Sequence, residues 1–86
     1  YTKAFHIISD KPDEISQKLV FEMNHGLTSL KGKGMYSNKD KDVLLCIIRR
    51  RDLPHLKTVV SQIDKNAFIF VTDVREVLGA GFSDHV

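Results

Sequence analysis

The sequence predicts an α+β domain: a four-stranded antiparallel sheet with two helices on one face. Three observations carry that expectation. Two segments repeat apolar residues at helical spacing, each with a proline in its first turn. Four others are short, apolar and rich in β-forming residues. Their order along the 86 residues is β-α-β-β-α-β.

The first strand is "AFHIIS", residues 4–9. A helix follows in "DKPDEISQKLVFEMNHG". Asp10 can cap it, Pro12 fits a turn where its missing N–H costs nothing, and Asp13 and Glu14 suit the positive end of the dipole. Ile15, Leu19 and Met23 form one core-facing stripe with Val20 beside it, and Gly26 is a suitable left-handed stop. "LTSLKG", residues 27–32, predicts an edge strand with Leu27 and Leu30 on opposite faces. "MYSNKDKD", residues 35–42, is expected to be a solvated loop. "VLLCIIR", residues 43–49, is the strongest strand signal in the chain. A second helix is predicted over 52–64, where Leu53, Leu56, Val59, Val60 and Ile63 share a face and Pro54 falls in the first turn. "AFIFVTD", residues 67–73, closes the sheet, and "VREVLGAGFSDHV" forms a short tail. With right-handed crossovers, two split β-α-β units interleave into a ferredoxin-like sandwich.

The strands are apolar on both sides. Val43, Leu45 and Ile47 point one way, and Leu44, Cys46 and Ile48 the other. Phe5 and Ile7 oppose Ile8, and Phe68 and Phe70 oppose Ile69 and Val71. Two helices cover only one face, and a sheet with a wet second face should alternate apolar with polar. The expectation is a homo-oligomer, a trimer or dimer, built through the second face. The alternative is that the tail folds across it.

Composition bounds the function. Hydrophobic residues make up 42% and charged residues 28%, a globular rather than disordered balance, in a length that suits a single domain over 1–86. The net charge of +2 is too small to argue for nucleic acid. The basic residues are also split: Lys31, Lys33, Lys39 and Lys41 gather near the start of the first helix, and Arg49, Arg50 and Arg51 at the opposite end. One cysteine, Cys46, allows no internal disulfide and reads as a small buried hydrophobe. His6, His25, His55 and His85 show no metal-ligand spacing, and no nucleophile motif is present. No enzyme, cofactor or metal site is expected. "GKG", residues 32–34, carries Lys33 and permits close backbone approach beside helix N-termini, as an anion site needs. It lacks the spacing of a Walker or dinucleotide loop, and the same glycines would serve to bend an edge hairpin. The first residue is Tyr, so either the start is missing or the domain has been cut from a longer chain.

Four segments carry a resemblance: "GLTSLKGKGMY" at 26–36, "KDVLLC" at 41–46, "IDKNAF" at 63–68 and "DVREVLGAGF" at 73–82. Together they resemble the C-terminal domain of YitT-type bacterial membrane proteins, over nearly the whole chain. The resemblance implies a ferredoxin-like domain of unknown function, similar to PII-type signalling proteins, on the cytoplasmic side of the membrane and joined to transmembrane helices of its own full-length chain. PII-type proteins are trimers that bind nucleotides between subunits and reach partners through the loop between strands two and three, which is much shorter here. By that analogy Lys31, Gly32, Lys33, Gly34 and Tyr36 are the candidate ligand-binding residues, for a small anionic ligand or nucleotide. The two functional expectations are a ligand-sensing regulatory module and a purely structural oligomerisation domain.

Overall fold

The structure is a computed structural model that describes residues 2–23 and 26–75. The elements run β1 (Thr2–Ile8), α1 (Pro12–Met23), β2 (Thr28–Gly34), β3 (Lys39–Arg49), a single 3₁₀ turn (Arg50–Asp52), α2 (Leu53–Ile63) and β4 (Phe68–Asp73). The strands form one antiparallel sheet in the order β2-β3-β1-β4, as expected of the ferredoxin-like sandwich. β1 and β3 are the central pair, and the apolar composition of both follows from that position.

One face of this pair meets the helices. Phe5 and Ile7 of β1 and Leu44, Cys46 and Ile48 of β3 are buried together with Ile15 and Leu19 of α1 and Leu56, Val59 and Val60 of α2. Met23, Leu53, Ile63 and Ile69 close the margin of this core. α2 contributes three residues that are almost wholly buried, because its apolar positions fall on one stripe. Val20, expected beside the α1 stripe, instead stands half exposed, at 49%. It lies one position on from Leu19, about 100° around the helix, which turns it away from the core.

The β2–β3 connection differs from the expected loop. β3 begins at Lys39 rather than Val43, and β2 continues to Gly34, which leaves a turn of only Met35, Tyr36, Ser37 and Asn38. Backbone pairing decided this, since the ladder needs no apolar side chains once the register is set. Gly34 pairs with Lys39, and Asn38 donates its N–H to the Gly34 carbonyl at 2.7 Å. Asn38 sits at φ 59°, a left-handed conformation that Asn tolerates. A β-carbon on Gly34 would lie 2.6 Å from Ser37 Oγ, so a larger residue there would make the Ser37 side chain turn aside.

The start of α1 also differs from expectation. Asp10 is exposed, with its carboxylate 3.7 Å from Lys41 Nζ. The local contact comes from Ser9, whose Oγ accepts the Lys11 N–H at 2.9 Å and donates to Asp64 Oδ2 at 2.6 Å. Asp64 also accepts the Asn66 N–H at 3.0 Å. These bonds tie the β1–α1 turn to the end of α2. The expected closing tail from residue 76, and His25 and His85, lie outside the described residues.

Candidate functional site

The expected basic residues arise from a two-stranded arm. β1 ends at Ile8 opposite Val43, whereas β2 and β3 stay paired as far as Gly34 and Lys39. Along the arm Lys31 faces Asp42, Gly32 faces Lys41 and Lys33 faces Asp40. The pleat places Lys31 and Lys33 on the same side as Ser29 and Leu44, the side of the helices. Lys31 Nζ donates to Asp42 Oδ1 at 2.7 Å, and this hydrogen bond, with the charge of Asp42, raises the Lys31 ammonium above its ordinary pKa.

Between the arm and the start of α1 lies a cleft of about 620 Å³. Ser9, Asp10 and Pro12 line it from one side, and Lys31, Gly32, Asp40, Lys41 and Asp42 from the other. Of the sequence-predicted residues, the structure therefore brings Lys31 and Gly32 to the cleft. Lys33, Gly34 and Tyr36 stand farther along the arm, outside its lining, and Tyr36 is fully exposed. The lining also holds three carboxylates against two ammonium groups, and both lysines already face a carboxylate.

The second sheet face is apolar across its whole width. Leu30 of β2, Val43, Leu45 and Ile47 of β3, Ala4 and Ile8 of β1, and Phe68 and Phe70 of β4 share it by register. Phe68 is 60% exposed and Leu30 45%. His6 sits near the centre, its ring stacked on Phe70 with centroids 4.3 Å apart and an interplanar angle of 2°. Phe68 lies 5.9 Å from Phe70 at a tilt of 49°. His6 Nδ1 is buried with no hydrogen-bond partner among the described residues. In the sequence His6 reads as one of four scattered histidines. Its alternation with Ala4 and Ile8 was the signal that it belongs to this face.

Other reactive groups are engaged elsewhere. Cys46 lies on the helix side, where burial pushes its thiol up to about 11. His55 Nε2 lies 3.4 Å from Glu22 on the surface of the two helices. Among the described residues no three His, Cys, Asp or Glu side chains gather as a metal site would require, and no helix is long and apolar enough to cross a membrane.

Residues 25–79 match the family described as "Uncharacterized protein conserved in bacteria (DUF2179)". The chain is 47% identical over 81 residues to "UPF0750 membrane protein YpjC" of Bacillus subtilis, covering 94% of this chain and 28% of that protein. It is 29% identical over 73 residues to "UPF0750 membrane protein YitT" of the same organism, covering 85% of this chain and 26% of that protein. The chain thus spans under a third of the length of these relatives. A crystal structure of an uncharacterised DUF2179 protein from Eubacterium ventriosum superposes with a TM-score of 0.75 at 26% identity, covering 84% of this chain and 99% of the other. The fold, the four motif segments and these matches agree, and the chain belongs to the DUF2179 family of bacterial proteins, whose relatives include the UPF0750 membrane proteins.

Proposed function

We propose that this domain is an assembly module of a UPF0750-type membrane protein, joining copies of its parent chain through the second sheet face. The observation that carries the reading is β3, which is apolar on both of its faces although α1 and α2 cover only one. Four strands spaced about 4.8 Å apart make a face roughly 19 Å wide. A second sheet stacked at about 10 Å covers all of it, and the exposed Phe68 and Leu30 at its margins would be buried in the process. The cytosolic side suits a domain with a lone free thiol and no disulfide. A reporter joined to the C-terminal end of this domain within the parent protein, active only on the cytosolic side, tests that placement.

The assembly test is light scattering on the wild-type chain and on Leu45→Lys and Phe68→Lys. Oligomers are expected for the wild type, and monomers with unchanged circular dichroism for the two variants. A wild type that stays monomeric at high concentration would exclude the reading.

A second reading, regulation by a small anionic ligand, has the cleft beside α1 in its favour. The ligand would displace Asp42 from Lys31 and meet the backbone at Gly32, with Lys33, Gly34 and Tyr36 on the adjoining arm. A thermal-shift screen against nucleotides checks it: stabilisation that vanishes in Lys31→Ala and weakens in Lys33→Ala would favour a sensor. The three carboxylates of the lining weigh against such a ligand, so assembly is the stronger reading.

A further inference from the structure

The tip of the β2–β3 arm shows an arrangement that neither the sheet face nor the cleft uses. β1 stops opposite Val43, so four residues of β3, Lys39 to Asp42, run on with only β2 as partner. At about 3.3 Å per residue the arm projects roughly 13 Å past the end of β1. Its turn has a defined shape, closed by the Asn38 N–H to the Gly34 carbonyl, with Asn38 in a left-handed conformation. That turn displays Met35 at 85% exposure and Tyr36 fully exposed. Neither side chain packs into the core.

The charges around this apolar tip are mostly of one sign. From residue 33 to residue 41 the arm carries Lys33, Lys39 and Lys41 against Asp40 alone. Lys41 lies 3.7 Å from Asp10, while Lys33 and Lys39 make no ion pair among the described residues. An unbranched apolar chain, a tyrosine with an apolar body and a polar end, and two flanking lysines match the boundary between acyl chains and anionic headgroups. Tyrosine favours the headgroup level, and lysine stems can lie along apolar surface while the ammonium stays with the phosphates. A dry protein groove would accept Met35 and Tyr36 but gives no reason for the two flanking lysines.

We propose that the tip of the β2–β3 arm docks on an anionic lipid surface, with Met35 and Tyr36 at headgroup depth and Lys33 and Lys39 against the headgroup charge. The observation is independent of the assembly reading, because the tip lies beyond the part of the sheet that β1 and β4 share. The chain contains no tryptophan, so Tyr36→Trp introduces a single reporter at the site. Its emission should shift to the blue with vesicles of equal phosphatidylcholine and phosphatidylglycerol. It should not shift with phosphatidylcholine alone, and the shift should fade as salt is added. Adding Lys33→Glu and Lys39→Glu should abolish it, and the wild-type chain should sediment with the mixed vesicles while a Met35→Ser, Tyr36→Ser variant stays in solution. All these side chains are exposed, and circular dichroism confirms that each variant is folded. No shift with either vesicle, an equal shift with both, or a tip that responds only to an added protein would overturn the proposal.

Discussion

The two faces of β3 are built from the same kinds of residue and meet different surroundings. Leu44, Cys46 and Ile48 are almost wholly buried beneath the two helices, whereas Val43, Leu45 and Ile47, one step along the same strand, keep part of their surface open. Hydrophobicity alone therefore does not distinguish a core position from a surface awaiting a partner. The difference lies in which face the helices can reach, and it divides residues that stabilise the monomer from residues available for association.

The largest effect should come from truncating the helix side. Phe5→Ala should cost about 3–5 kcal/mol and Leu56→Ala about 2–5 kcal/mol, because each leaves a cavity in a closed core. Urea denaturation would measure both. Leu45→Ala on the other face should cost well under that in the monomer and act chiefly on association. A cost for Leu45→Ala equal to that for Leu56→Ala in a monomeric sample would remove the distinction between the faces.

Next in size is the bond between the β1–α1 turn and the end of α2. Ser9→Ala should lower stability by about 1 kcal/mol, since Ser9 is buried and both its Oγ hydrogen bonds are lost. The same node sets a pH dependence. The Ser9 hydroxyl, and then the Asn66 amide, hold the Asp64 carboxyl below its usual pKa. A carboxylate lowered on folding contributes stability that is full above its unfolded pKa near 4 and is lost as pH falls through the folded value. The Lys3 hydrogen bond lowers Asp73 in the same way, across the β1–β4 pair. Melting temperature should therefore fall from about pH 4 downward, and Asp64→Asn should flatten part of that fall.

Smaller effects sharpen the comparison. Cys46 should react with a thiol reagent only as fast as the domain opens, because its thiol is both buried and raised to about 11. Reaction at the rate of a free thiol would mean that the helix face opens readily. Lys31→Ala should leave the melting temperature within error, since its pair with Asp42 is exposed on the lysine side.

Much of the fold was legible from residues. The stripe Leu53, Leu56, Val59, Val60 and Ile63 located α2 within a residue at either end, and the unbroken apolar run from Val43 located the C-terminal part of β3. The arm was not legible. Residues 39–42 are Lys-Asp-Lys-Asp, which is ordinary loop chemistry, and only pairing with β2 makes them a strand. The candidate site was legible in part for the same reason. Lysines and glycines near the start of α1 could be seen, but which of them line the cleft depends on the cross-strand register. Lys31 and Gly32 lie on the part of the arm that faces the start of α1, and Lys33, Gly34 and Tyr36 lie farther toward the tip.

The sequence by itself determined the element types, the β-α-β-β-α-β order and the presence of a second apolar face. Each is a local or periodic property of side chains, and hydrophobic spacing and turn residues are enough to express it. Only the tertiary structure decided which lysines meet which carboxylates, where the arm outruns β1, and that His6 lies stacked on Phe70. Those depend on pairings between strands distant in the chain, and a shift of one residue in any of them would send every side chain to the other face.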